Sequence, residues 1–349
     1  MITINIIKRD NTMKKTAIVT LVAAAMATAT PAFAGVAEEL AMMKARIAQL
    51  ESQLAEQQAT IAKQQSTGSS AGGFSDNVSV AGTLEILANH VEESNGNSKS
   101  DIAVDTFELE IAAQLNENVA VAATLEYDGD DQERIKLAEA FAEIGNEDSV
   151  AKLTVGKTGI PFAVVNDAGW TAPLTDDHFD ITEGMAMVSF GGDMVSADLF
   201  VFNNNEDTLG SFGFNAGVAV AEGIKLGAGY VSEVTTGLAT SEDAWRLNAM
   251  AETGPFAFTA EYIQVDGTTD PDILALNAAY NTNLMGEDAT IYLGWSEVDD
   301  AAANDAERLV LGVERAFGEN VSVAAEYVRD EDSAGADTDT VNLVLLTGF

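Results

Sequence analysis

The chain has 349 residues, of which 56 are acidic and 17 are basic, and its formal net charge is -39 at pH 7. Nucleic-acid binding requires clustered Lys and Arg against the phosphate backbone, so a charge this negative excludes nucleic acid as a partner class. The absence of cysteine excludes disulfides, thiolate metal sites and cysteine nucleophiles, and 47% hydrophobic residues are too many for a disordered acidic chain.

The first predicted element is a secretory leader. Lysines at 14–15 precede an apolar run at 16–29, and a small-x-small cleavage pattern ends at Ala34. The apolar run is shorter than the roughly 20 residues that a membrane-spanning helix needs. We therefore expect 1–34 to contain upstream residues and a signal peptide, which sends the mature chain to an envelope or secreted compartment.

Residues 35–65 carry a heptad repeat. One seam position is apolar in four successive heptads, at Leu40, Ile47, Leu54 and Ile61. So narrow an apolar stripe is typical of an α-helix that forms a coiled coil with copies of itself, although packing on the rest of the chain is the alternative. The segment 66–76 is rich in Ser and Gly and is interpreted as a flexible linker.

From residue 77 onward the hydrophobic period changes to two. Apolar residues alternate with polar ones, as expected for strands with one apolar face. Sixteen segments show this pattern, near 77–88, 104–115, 119–127, 134–144, 150–157, 183–190, 195–202, 212–220, 224–232, 244–251, 256–263, 272–281, 288–296, 306–315, 321–329 and 340–349. We therefore predict one all-β domain at 77–349.

The predicted connections between these strands alternate in length. Short turns such as 116–118 alternate with connections that are mostly longer and rich in Asp, such as 89–103 and 158–182. An even number of antiparallel strands, with short turns at one end and longer loops at the other, is typical of an outer-membrane barrel. A soluble sandwich would alternate too, so other features must separate the two classes.

Aromatic residues provide one such feature. Five rings lie in phase with the apolar face near the loop end of odd-numbered strands: Tyr127, Tyr230, Tyr262, Trp295 and Tyr327. Rings at one height form the girdle that meets the lipid headgroups, and a sandwich has no reason to place them so. The sequence therefore predicts a transmembrane antiparallel β-barrel of about 16 strands in the cell outer membrane, in contact with its lipid.

The last predicted strand alternates up to Phe349. Its pairing with the first strand would close the barrel and leave no edge in lipid. A C-terminal strand that ends in Phe is similar to the assembly signal of bacterial outer-membrane proteins, which implies the barrel-assembly machinery as a partner.

The polar faces of the strands are predicted to line the lumen. The candidates for lumen-facing charges are Glu108, Glu110, Glu126, Lys152, Arg246, Glu261 and Glu326. An acidic lining attracts cations and repels anions. Scattered bases on the opposite wall would instead give a transverse field, and the sequence leaves this alternative open.

The longest predicted connection is the third long one, at 158–182. A loop of this length is usually functional or disordered. Five titratable residues make it a candidate pore or constriction loop: Asp167, Asp176, Asp177, His178 and Asp180. A surface loop solvated by its own charges is the alternative.

The run Val155–Phe162 (VGKTGIPF), with Ala-Pro-Leu-Thr at 172–175, resembles the strand and third loop of the LbtU-type siderophore porins. The resemblance implies a leader and a coiled coil before the barrel. The loop at 158–182 is also similar in length and position to the loop that folds into the lumen in sixteen-stranded porins. The resemblance also implies passive passage of small solutes, with a ferric siderophore as one candidate. Porins of this size commonly form homotrimers, and we expect the same here.

Two functional classes other than a porin are a structural protein and an enzyme. A structural protein that links the outer membrane to the cell wall through its coiled coil stays open as the alternative. An enzyme is not expected, because the two histidines, His90 and His178, belong to no visible nucleophile and base pattern. We expect no catalytic residue, no metal site and no cofactor.

Overall fold

The computed structural model describes residues 77–129, 134–146, 149–163, 169–192, 194–203, 209–236, 242–266, 270–299 and 305–349. The predicted leader, coiled coil and linker at 1–76 lie outside the described residues. No helix in the described segments is long and apolar enough to cross a membrane.

Sixteen antiparallel strands form one closed barrel, in which each strand pairs with its neighbours in sequence and the last pairs with the first. The strands are β1 (Val78–Glu93), β2 (Ser98–Asn116), β3 (Val119–Asp128), β4 (Ile135–Ile144), β5 (Ala151–Gly159), β6 (Thr182–Gly191), β7 (Val195–Asn203), β8 (Leu209–Ala221), β9 (Ile224–Val234), β10 (Glu242–Thr253), β11 (Phe256–Asp266), β12 (Asp272–Leu284), β13 (Glu287–Asp299), β14 (Ala306–Ala316), β15 (Val321–Glu331) and β16 (Asp337–Gly348). The predicted sixteen-stranded antiparallel barrel is confirmed.

The barrel closes between β1 and β16, where Thr83 pairs with Gly348. One step further, Gly82 and Phe349 exchange two backbone hydrogen bonds of 3.0 Å. A Cβ at residue 82 would lie 2.4 Å from the Phe349 ring, so only glycine lets the ring lie directly on the β1 backbone. The Phe349 ring also stacks near Phe107 of β2, at 6.5 Å between centroids.

The two faces of the sheet differ because side chains alternate along each strand. Large apolar side chains are exposed on the outer face of neighbouring strands, including Leu125, Leu293, Leu311 and Leu343. A soluble monomer rarely exposes an apolar surface that encircles the molecule, whereas a barrel in lipid requires one. The alternation in the sequence therefore reflects a lipid-facing and a lumen-facing side.

The first connection is shorter than predicted. Strands β1 and β2 continue to Glu93 and from Ser98, so the connection is 94–97 rather than 89–103. The alternation of apolar and polar residues ends before the pairing of the two strands ends. The backbone of the two strands stays paired through polar residues, as between His90 and Ser100. The prediction of a long first connection was wrong for this reason.

The connection between β5 and β6 is much longer than the other connections between strands. It spans 160–181 between β5 and β6 and contains the short helix α1 (Leu174–Phe179). We call this segment loop 3. Within it, α1 contacts β11, β12 and β13, so the loop folds into the barrel.

Candidate functional site

Loop 3 packs on the inner wall of the barrel through buried apolar side chains. Phe162 and Phe179 are each 1% exposed, and their ring centroids are 5.2 Å apart. They belong to one buried cluster with Ile160, Leu174 and inward residues of β6–β13, including Met185, Phe200, Phe202, Val231, Val234, Ala244, Ile263, Val265, Ile273 and Val298. Full burial of each Phe side chain stabilises this arrangement by about 1.5–3 kcal/mol. Both ends of loop 3 are therefore held by packing.

A buried ion pair lies beneath this apolar cluster. Arg246 of β10 and Glu261 of β11 are each 3% exposed, and Arg246 Nη1 is 3.3 Å from Glu261 Oε1. Arg246 also donates to Asn215 Oδ1 at 2.6 Å, and its guanidinium lies 5.8 Å from the Phe162 ring centroid. These two charges lie on the inner face of the sheet, but they are buried beneath Phe162 of loop 3, so they do not line the open lumen.

The middle of loop 3 is held by polar contacts. The Glu326 carboxylate of β15 accepts hydrogen bonds from Trp170 N at 2.8 Å, Thr171 N at 3.1 Å and Thr171 Oγ1 at 2.6 Å. The Trp170 indole donates to Glu85 Oε2 of β1 at 2.9 Å. Glu326 is 3% exposed and so holds the loop instead of lining the open lumen.

Arg308 of β14 provides a second polar attachment. Its Nη1 donates to Ala172 O at 2.9 Å and to Asp177 Oδ2 at 2.5 Å, and its Nε donates to Asp330 Oδ1 at 2.8 Å. One strand residue thus joins a loop carbonyl, a helix carboxylate and a neighbouring strand. Asp177 is consequently a paired charge.

Helix α1 carries the remaining predicted loop residues. It follows Pro173, and Asp176 and Asp177 in its first turn are favourable near a helix N-terminus. Burial, reinforced by Asp180 and Asp177, raises the pKa of Asp176 to about 6. Burial lowers the pKa of His178, against the opposing effect of Asp177 and with a smaller contribution from Arg308 in the same direction as burial. Asp180 is exposed, and Asp167 lies outside the described residues.

An acidic wall lies across the lumen from the helix. In the order of the closed sheet β3 is opposite β11, one of the strands that α1 contacts. Glu108 pairs in register with both Thr83 and Glu126, which places all three on the face that carries Glu85 and that loop 3 contacts. Glu110 lies two residues from Glu108 and shares this face.

Two lysines near this wall are paired with carboxylates. Lys152 Nζ is 3.1 Å from Glu143 Oε1, and Lys136 Nζ is 3.4 Å from Glu126 Oε1. Arg246 and Arg308 lie on the loop 3 side, opposite this wall, but Arg246 is paired with Glu261, and Arg308 is paired with Asp177 and Asp330. In the described part of the chain, the acidic strands and the acidic helix therefore face each other.

Most of the rings predicted to form the girdle take part in hydrogen bonds between neighbouring strands. Four of them donate a hydrogen bond to a carboxylate on the following strand: Tyr230 to Asp243 at 2.7 Å, Tyr262 to Asp272 at 3.1 Å, Trp295 to Glu307 at 3.0 Å, and Tyr327 to Asp339 at 2.5 Å. Each of these hydrogen bonds joins two strands next to the connection between them, at the end of the barrel that also carries loop 3. Tyr127 occupies the corresponding place near the end of β3.

Sequence reasoning missed most of the residues that hold loop 3. Tyr292 and Ser296 lie on the inner face of β13, and Tyr292 OH donates to Glu326 at 2.5 Å while Ser296 Oγ accepts from Leu174 N at 3.1 Å. The period of two indicated which way Glu85 and Tyr292 point. It carried no signal for contacts between residues more than a hundred positions apart. In the described residues, no group of three or more His, Asp or Glu side chains is arranged to hold a metal ion.

The family is shown by a match that covers most of the chain. Residues 20–335 match the family model for the Gram-negative porin. The chain belongs to the Gram-negative porin family. It is accordingly an outer-membrane porin, and family and fold together indicate a channel rather than an enzyme.

Solved structures of low sequence identity share the fold of this porin. An anion-selective porin from Comamonas acidovorans has a TM-score of 0.60 at 12% identity, covering 78% of this chain and 99% of that one. OmpF of Salmonella typhi in complex with daunomycin has 0.58 at 15%, covering 78% and 98%. OmpT of Vibrio cholerae in its trimer form has 0.58 at 10%, covering 78% and 100%. No curated protein matches the sequence.

Proposed function

We propose that this porin is a passive channel for small solutes that prefers cations, and that loop 3 forms its constriction. The observation that carries the proposal is the acidic wall of β2–β4 opposite α1, where Lys136 of β4 and Lys152 of the adjacent β5 are already paired to carboxylates. A channel between two acidic surfaces concentrates cations and excludes anions.

The test is the reversal potential of the purified full-length protein in planar bilayers under a salt gradient. The wild type should be cation-selective, and Glu108→Gln with Glu110→Gln should lower the ratio of cation to anion permeability. The matched control is Glu222→Gln with Glu287→Gln, which removes two exposed carboxylates at the turn end. Anion preference in the wild type, or equal effects of both double variants, would contradict the proposal.

A ferric siderophore is the narrower proposal for the solute, and its support is the sequence resemblance at Val155–Phe162. In the structure, Ile160 and Phe162 of this run are buried and seat loop 3, so the run accounts for the position of the loop. Liposome swelling with ferric chelates of similar size tests the charge preference. Cationic or neutral chelates should enter faster than anionic ones, and equal rates would argue for size selection alone.

The proposed assembly is a homotrimer held partly by a coiled coil at 35–65, ahead of a linker at 66–76 and the barrel at 77–349. The heptad repeat supports it, and OmpT of Vibrio cholerae supplies a trimeric relative in fold. Native mass spectrometry should detect a trimer, and deletion of 36–64 should weaken it without unfolding the barrel. A monomer at high protein concentration would contradict this assembly.

The same N-terminal segment carries the alternative proposal of a tether to the cell wall. Binding of the full chain to isolated peptidoglycan, lost on deletion of 36–64, would support the tether. The barrel-assembly machinery is the proposed partner during folding, with Phe349 as its signal, and Phe349→Ala should then reduce insertion into membranes.

A further inference from the structure

Glu326 is a buried carboxylate with only neutral donors around it in the described structure. Its partners are the main-chain N–H groups of Trp170 and Thr171, the hydroxyl of Thr171 and the phenol of Tyr292. A carboxylate in such a place needs several hydrogen bonds, because its charge has lost most of its water. Three of its four donor groups belong to loop 3.

The wall is shaped to let the loop approach Glu326. A Cβ at Gly169 would lie 2.5 Å from the Tyr292 ring, so the loop backbone rests directly on that ring. The hydroxyl of the same tyrosine donates to Glu326 at 2.5 Å. Tyr292 thus supports both the loop backbone and the carboxylate that binds it.

The middle of loop 3 and its ends are attached to the wall by different kinds of contact. Ile160, Phe162, Leu174 and Phe179 anchor the ends in the apolar cluster. The described middle, 169–171, is attached through Glu326 and through the Trp170–Glu85 hydrogen bond. Polar contacts therefore decide whether this stretch stays against the wall.

We propose that Glu326 is the positioning residue that keeps the middle of loop 3 against the barrel wall. The inference rests on the proposed function of loop 3 as the constriction. Glu326 acts through the loop and has no direct contact with the solute. When its hydrogen bonds are lost, the stretch 169–171 lifts into the lumen or shifts along it, and the width of the channel fluctuates.

The test compares Glu326→Gln with Glu314→Gln. Both variants remove an inward carboxylate, and β14 and β15 are neighbours, but the described residues show no hydrogen bond from Glu314 to loop 3. Charge-assisted hydrogen bonds shift an equilibrium by about 10-fold or more, so Glu326→Gln should raise the time spent in additional conductance levels by that factor. Tyr292→Phe, which removes one donor and keeps the ring under Gly169, should cause a smaller rise.

A fluorescence measurement separates loop position from conductance. The chain has three tryptophans, so Trp245→Phe with Trp295→Phe leaves Trp170 as the reporter. Acrylamide quenching of Trp170 should increase in Glu326→Gln and stay unchanged in Glu314→Gln. Heat-modifiable gel migration should remain as in the wild type, which shows that the barrel is intact.

The outcomes distinguish the two proposals. Greater quenching together with new conductance levels supports both. Greater quenching with unchanged conductance supports the positioning role and counts against loop 3 as the constriction. Unchanged quenching in Glu326→Gln, or the same change in Glu314→Gln, overturns the positioning role.

Discussion

Asp176 is a loop residue whose ionisation depends strongly on its surroundings. Its carboxyl group is partly buried in α1, and burial together with Asp180 and Asp177 raises its pKa to about 6. Ordinary Asp side chains titrate near pH 4, so Asp176 changes charge in a range where most other acids stay ionised. It therefore gives loop 3 a charge that responds to mild acid.

We predict that cation preference falls as the pH is lowered from 7 to 5, because Asp176 becomes neutral in this range. Reversal potentials at each pH measure the change, and Asp176→Asn should remove this step. The folded state binds the extra proton, so the free energy of unfolding should rise as the pH falls from about 6 towards 4. A wild-type profile that matches Asp176→Asn would contradict the prediction.

At the scale of elements, ring and carboxylate pairs join neighbouring strands at the end of the barrel that carries loop 3. Tyr230 belongs to β9, and its partner Asp243 lies on β10. Asp243 also accepts a hydrogen bond from Glu233 N at 3.1 Å. One carboxylate thereby connects two points of the neighbouring strand next to a loop.

We predict that Tyr230→Phe lowers the free energy of unfolding by about 1 kcal/mol, because the hydrogen bond to Asp243 is lost while the ring remains. Urea denaturation in lipid vesicles measures the change. Tyr280→Phe is the control, because its ring is also on the outer face of the sheet and packs on Phe256. Equal losses in the two variants would show that the pairing with Asp243 is unimportant.

A second prediction for elements concerns barrel closure. Gly82→Ala would place a methyl group 2.4 Å from the Phe349 ring, so the ring must leave its place between β1 and Phe107. Gly348→Ala is the matched control, because its nearest contact would be an ordinary 3.9 Å. The melting temperature in heat-modifiable gels should fall for Gly82→Ala and stay near the wild-type value for Gly348→Ala. Equal temperatures would contradict the prediction.

At the scale of the whole molecule, the charge of -39 acts on ions at a distance set by salt. The screening length is about 30 Å at 0.01 M and about 3 Å at 1 M. We predict that the ratio of cation to anion permeability is high in dilute salt. Near 1 M salt it should approach the ratio of the mobilities of the two ions in free solution. Reversal potentials at a constant gradient and increasing mean concentration provide the measurement. A ratio independent of salt would indicate selection by size or by local binding.

The barrel was predictable from the sequence because lipid and lumen impose opposite demands on successive residues. That alternation located β3 at 119–127, against Val119–Asp128 in the structure. It failed at His90–Glu93, where pairing continues beyond the apolar alternation. It also indicated the face of Glu326 and Arg246 without showing that loop 3 covers them, since coverage depends on a contact between distant parts of the chain.

The pairing of β1 with β16 has a consequence for the order of folding. Thr83 and Gly348 are partners although nearly the whole barrel sequence lies between them. Pairing at such separation is slow, because a very long loop must be closed before any contact compensates for it. One edge of β1 stays without its partner until β16 pairs with it, and an open edge invites aggregation. The first strand in the sequence is therefore among the last to be completed, although its other edge pairs early with the adjacent β2.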